Sequence, residues 1–174
     1  MSAVFRACLK TFLLSFVLVS PALAQGLVPL PADHQVNLSG PRFGLTLLSQ
    51  GNIDKLKENG YNLRPLLSQF GWQFERQLFR NDEGVTALME WVPLLSGLDQ
   101  GVALPSLNWL VGIRTSTGTE FGIGPNITPV GMGLVVAAGV TVRSGALNIP
   151  LNVAVASSKS GQRVSIMTGF NIRR

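Results

Sequence analysis

The chain has 174 residues and a formal charge of +5, with 14 basic side chains against 9 acidic ones. The basic residues are mostly Arg spread singly along the chain, without the clustered patch that nucleic acid requires, so that class of partner is excluded. Only 13% of residues are charged, about half the usual share for a water-facing domain, although 46% are hydrophobic.

Residues 1–24 read as an export signal. Arg6 and Lys10 form a positive region, residues 11–20 an apolar one, and Pro21-Ala22-Leu23-Ala24 ends in a small-x-small cleavage pattern, so the mature chain is expected to begin at Gln25. The apolar run is about ten residues, short of the roughly twenty that span a bilayer as a helix. The one cysteine, Cys8, falls inside this segment and away from a lipoprotein cleavage site. The mature chain therefore carries no disulfide, no thiol nucleophile and no cysteine-ligated metal. Residues 25–39, with Pro29 and Pro31, read as an extended leader that contains the single histidine, His34.

From Gly40 onward the chain alternates in period two, the mark of strands with unlike faces. In chain order, one face carries Phe43, Leu45 and Leu47, then Phe70, Trp72, Phe74 and Leu78, then Val85, Ala87, Met89 and Trp91. Leu107, Trp109, Val111 and Ile113 follow, then Phe121, Ile123 and Ile127, and then Leu134, Val136, Ala138, Val140 and Val142. The last two segments bring Leu147, Ile149, Leu151, Val153 and Val155, and finally Val164, Ile166, Thr168, Phe170 and Ile172. Eight strands are predicted. Leu88 and Val92 blur the second face of the third, and Pro150 predicts a bulge or a late start in the seventh.

Gly, Asn, Asp and Ser turns join strands two to three (Asn81 to Gly84), four to five (Ser116 to Gly118) and six to seven (Ser144-Gly145). Longer connections are predicted at about Ser49–Leu66, Pro93–Pro105, Thr128–Gly131 and Ser157–Gln162. In the first of these Asn52 is read as the cap of a short helix over residues 53–59, ending at Gly60; Ile53 and Leu56 share a face, and a brief surface helix is preferred over one lying across the barrel mouth. The predicted fold is all-β: an eight-stranded antiparallel up-and-down barrel over residues 40–174, with a short helix in its first long loop.

The second face decides which way such a barrel turns. It holds Gly44, Gly71, Gly112, Gly122, Gly124, Gly139 and Gly169, together with Arg42, Arg114, Arg143 and Arg163 against Glu75, Glu90 and Glu120, and no lysine. A water-facing sheet would carry long soluble side chains, Lys above all. A narrow lumen needs small residues and matched charges, because an unpaired buried charge costs several kcal/mol, of order 3–5. Those seven charged residues are therefore the candidate interior network, structural in role, and the apolar face is expected to meet lipid. Arg76 is the misfit on that face, placed near a turn from which it can snorkel. The alternative is a soluble periplasmic barrel that binds a lipid or other apolar ligand in an apolar interior.

Residues 40–174 resemble the small outer-membrane barrels of the OmpA and OmpX type in pattern, and Gly169, Phe170 and Ile172 resemble their final-strand signal. The chain departs from the usual aromatic end at Arg173-Arg174. The resemblance implies an outer-membrane location, contact with membrane lipid or lipopolysaccharide, and insertion by the barrel-assembly machinery; the sequence leaves the oligomeric state open, with a monomer favoured. Some barrels of this size are lipid A deacylases with a Ser–His pair near the rim. Here the lone leader histidine leaves a nucleophile without its base, so no enzyme is expected. No cofactor or metal is expected either: Gly122-x-Gly124 precedes no helix, and no acidic or histidine cluster has ligand spacing. Eight strands leave an interior just filled by side chains, so a pore is not expected.

Overall fold

The alternation becomes eight strands, in the computed structural model, which describes residues 37–172. The expected export signal, most of the leader with His34, and Arg173-Arg174 lie outside the described residues. The strands are β1 (Gly40–Leu48), β2 (Leu66–Arg80), β3 (Thr86–Ser96), β4 (Leu104–Arg114), β5 (Thr119–Thr128), β6 (Gly131–Ser144), β7 (Leu147–Ser158) and β8 (Gly161–Gly169). Each pairs antiparallel with its sequence neighbours, and β1 pairs with β8 to close an up-and-down barrel. A two-residue strand, β9 (Asn171–Ile172), continues β8 in the same register against β7. Among the described residues no helix is long and apolar enough to cross a membrane.

Apolar side chains point away from the axis. Phe70, Phe121 and Ile123 are each about half exposed (54%, 53% and 52%), whereas Arg42 and Arg114, on the opposite face of their strands, are 0% and 2% exposed. Leu88 and Val92, which blur the alternation of β3, are buried inward. Val92 packs with Leu94, Leu110, Val135 and Met167 into a small apolar group in the middle of the lumen. A register shift between Gln77 and Phe79 lets both Leu78 and Phe79 face outward near the end of β2.

Several connections differ from expectation. β3 runs through Pro93 to Ser96, and β4 starts at Leu104, so the link is residues 97–103 and not Pro93–Pro105. The fifth and seventh links shrink to residues 129–130 and 159–160, because Gly131 and Gly161 take positive φ (138° and 136°) and turn the chain at once. Length asymmetry between the two barrel ends rests on the first and third links alone. Asp99 in the third accepts hydrogen bonds from Ser68 N–H and Oγ–H, which hold its carboxyl below the usual Asp range.

Pro150 makes neither a bulge nor a late start. It pairs with Thr141 in an unbroken β6–β7 ladder, and the ladder on its other flank lapses between Leu151–Thr168 and Asn148–Asn171. Its missing N–H falls at that lapse. Pro93 and Pro125 are seated the same way: Pro93 pairs with Leu107 while the β2–β3 ladder skips it, and Pro125 pairs with Leu134 while the β4–β5 ladder skips it.

The helix, α1 (Gln50–Glu58), is not a detached surface turn. Leu56 is buried with Leu48, Leu63, Leu67 and Leu104, closing the loop end of the lumen with an apolar plug. Asn52 is not its cap, a position held by Ser49; Asn52 lies within the helix, buried, and its Nδ2 donates to the carbonyl of Gln162 at 3.0 Å. Ser49 N–H donates to the same carbonyl, and Ser49 Oγ accepts from Gln162 N–H.

Close strand approach at inward positions requires glycine. A Cβ on Gly124 would stand 1.8 Å from the carbonyl oxygen of Trp109, whereas one on Gly122 would meet nothing nearer than Leu110 Cβ at 3.6 Å. Gly124→Ala is therefore expected to cost about 1–3 kcal/mol or more by overpacking, and Gly122→Ala to stay within about 0.5 kcal/mol. Urea unfolding midpoints of the two variants check the contrast, and equal midpoints would refute it.

Candidate interior polar network

The seven charged residues singled out by the alternation all sit on the inward face, but they do not form one cluster. Glu75 of β2, Arg114 of β4 and Glu120 of β5 meet at the end of the lumen that carries the 81–85 and 115–118 turns. Arg114 Nη1 donates to Glu75 Oε1 at 2.8 Å, its Nη2 to Glu75 Oε2, and its Nε to Glu120 Oε1 at 2.7 Å. The side chains of Arg114 and Glu75 are 2% and 0% exposed. Thr141 Oγ1 of β6 adds a bond to Glu120 at 3.2 Å. One guanidinium thus links β2, β4 and β5 through a two-pronged and a single contact, the geometry in which Arg–carboxylate pairs are strongest.

Register creates the problem that this pairing solves. Glu75 lies directly opposite Glu90 across the β2–β3 ladder, an arrangement of like charges that destabilises a sheet. Arg114 takes Glu75. Glu90 instead accepts from Gln73 Nε2 at 2.7 Å, and Gln73 Oε1 accepts from Arg42 Nε at 3.0 Å. A neutral amide therefore connects Arg42 to the acid, with its two ends matched to a donor and an acceptor.

Arg42 is fully buried and has no carboxylate in direct contact among the described residues. Its Nη1 donates to the carbonyl of Pro41 at 3.0 Å and its Nη2 to that of Leu38 at 2.7 Å. The start of the barrel is folded in around it. Ser39 Oγ accepts from Glu75 N–H at 2.9 Å, and Ser39 O accepts from Asn171 Nδ2 at 2.5 Å, so residues 38 and 39 line the network and are not free leader. Arg143 is inward on β6 in the same region, opposite Asn148.

Arg163 stands apart. It lies near the start of β8, opposite Leu48 of β1 and Ala156 of β7, and donates through Nη2 to Asn126 Oδ1. Asn126 Nδ2 in turn donates to Asn108 Oδ1 at 2.6 Å, and Asn108 Nδ2 to the carbonyl of Val92 at 3.4 Å. Along the strands the apolar group of Val92, Leu110 and Met167 falls between this chain of amides and the three glutamates.

The alternation marks Gln73, Asn108, Asn126 and Thr141 as inward, and it carries no signal that Gln73 bridges Arg42 to Glu90 or that Asn126 serves Arg163. Among the described residues no group of three or more His, Cys, Asp or Glu gathers with the spacing to hold a metal ion. Comparison of the chain with protein-family models, with curated proteins and with solved structures returns no match. The likeness is therefore one of architecture: a closed, eight-stranded antiparallel barrel with its polar residues inside.

Removing Arg114 leaves two carboxylates buried together. Arg114→Met is expected to lower stability by about 3–5 kcal/mol, and the combined Arg114→Met, Glu75→Leu, Glu120→Leu replacement to recover much of that loss. Equilibrium urea unfolding measures both, and a single variant within about 0.5 kcal/mol of the parent would show that the triad contributes little.

Proposed function

We propose that this chain is an integral outer-membrane barrel of the small OmpA and OmpX-like kind, exported by its N-terminal signal, with a structural or envelope-contact role and no catalysis. The observation that carries the reading is the outward belt of large apolar side chains. Phe43, Phe70, Trp72, Phe74, Trp109, Val111, Phe121, Ile123, Leu134 and Val136 are all exposed, while charged and amide groups fill the lumen. A monomer in water rarely leaves so much contiguous apolar surface uncovered. Hydrocarbon covers it without cost, and ring closure leaves no unpaired strand edge in lipid.

Strand length supports the same reading, since β2 to β7 run from 10 to 15 residues and a tilted strand needs about 9–11 to cross the apolar layer. The lumen supports a structural role over transport. It is occupied by the Arg114 and Arg42 networks at one end, the Val92–Met167 group in the middle and the α1 plug at the other. A carrier of apolar ligands would need an apolar chamber where these side chains stand. The surrounding lipid, including lipopolysaccharide in the outer leaflet, is the partner this surface fits, and the barrel-assembly machinery is the route by which it would be inserted.

Cell fractionation tests the location. The protein is expected in the outer-membrane fraction, released only by detergent, with a faster gel mobility before heating than after. Recovery of the folded protein from the periplasm in plain buffer would overturn the reading in favour of a soluble barrel. An independent arm uses Ile123→Arg, which is expected to cost about 2–4 kcal/mol of folding stability in lipid vesicles if residue 123 lies near the bilayer midplane. A water-facing position would tolerate the same change within about 0.5 kcal/mol.

A further inference from the structure

We propose that the loop end of the lumen binds one small monovalent anion, of the size of chloride, against the guanidinium of Arg163. This inference is independent of the membrane reading, because it concerns only the interior.

Arg163 carries a full charge and five N–H donors. Its hydrogen-bond partner is the neutral Oδ1 of Asn126, and among the described residues no carboxylate pairs with it. The orientation of that amide is set from behind, since Asn126 Nδ2 is committed to Asn108 Oδ1. The three interior glutamates are engaged elsewhere: Glu75 and Glu120 by Arg114, Glu90 by Gln73. Val92, Leu110 and Met167 lie between them and Arg163 along the strands. A cation without a carboxylate partner is thus held partly buried in the lumen wall, where a counter-charge gains more than it would in bulk water.

The space for that counter-charge is present. Arg163 lines a cavity of about 30 Å³ with Thr46, Asn52, Ser96, Asn126 and Thr128. No acidic side chain lines it. Of the polar groups around it, the Ser96 hydroxyl accepts from Gln69 Nε2 and keeps its own hydrogen to donate toward an anion, whereas Asn52 Nδ2, Asn126 Nδ2 and the Thr46 and Thr128 hydroxyls donate to protein acceptors. A single water needs about 10–15 Å³ of such space, so the cavity takes a halide or a pair of waters. Leu48, Leu56 and Leu104, also in its wall, belong to the apolar plug under α1.

The test compares thermal unfolding of the folded full chain in chloride and in gluconate at one ionic strength. Chloride is expected to raise Tm by about 5 °C, the shift that a bound ligand well above its Kd gives a domain of this size. Asn126→Asp places a carboxylate beside Arg163 and is expected to abolish the difference while the barrel still folds, whereas Arg163→Gln removes both the charge and the dependence. In crystals grown with bromide, an anomalous peak is expected beside the Arg163 guanidinium. Equal melting in the two salts overturns the proposal. So does a chloride effect that survives in Asn126→Asp, or a bromide-grown crystal in which water alone occupies the cavity.

Discussion

The contact of Arg114 with Glu75 and Glu120 is the interaction around which half of the lumen is arranged. A barrel of eight strands encloses a space only a few side chains across, so a charge turned inward finds its partner there or loses hydration without return. Arg114 resolves two conflicts at once. It neutralises Glu75, which would otherwise face Glu90 across the β2–β3 ladder, and it ties β4 to strands on both sides. The freed Glu90 is then reached by the amide of Gln73, and the same amide orients Arg42 toward the carbonyls of Leu38 and Pro41. Removing the central guanidinium would disturb this entire chain of contacts.

The rest of the interior follows from keeping that network dry. An apolar group built from Val92, Leu94, Leu110, Val135 and Met167 fills the middle, and the plug formed by Leu56 of α1 with Leu48, Leu63, Leu67 and Leu104 closes the far end. The first long link is therefore part of the barrel and not an ornament on it. Its attachment is specific: Ser49 and Asn52 bind the backbone of Gln162, and Gly161 leaves room for Ser49 Oγ, which would stand 2.2 Å from a Cβ there. The third link is tied down in a similar manner by Asp99 on Ser68.

Proline and glycine shape the wall. Pro93, Pro125 and Pro150 each keep one continuous ladder and turn the side that lacks a donor toward a lapse in the other, so the sheet tolerates residues normally confined to edges. Across one of these lapses stands an inward glycine: a Cβ on Gly71 would lie 2.1 Å from the carbonyl of Pro93. Small inward residues let neighbouring strands close tightly around a narrow axis.

Much of this was legible in the residues themselves. Period-two alternation determined the number of strands, their order and the face each side chain takes, because the pleat alternates side chains whatever the strand packs against. The depletion of lysine and the wealth of glycine on the second face, against long apolar side chains on the first, indicated which face turns to the axis. Alternation says nothing, however, about which inward groups touch, since strands far apart in sequence converge only when the ring closes and the shear sets their heights. Closure decided that Arg114 takes both Glu75 and Glu120, that Arg42 settles on carbonyls, and that Arg163 faces an amide alone. It also decided that Leu56 and Asn52 fold back over the lumen. A local helix signal carries no record of the surface it will meet, and a proline carries none of which ladder its missing donor will face.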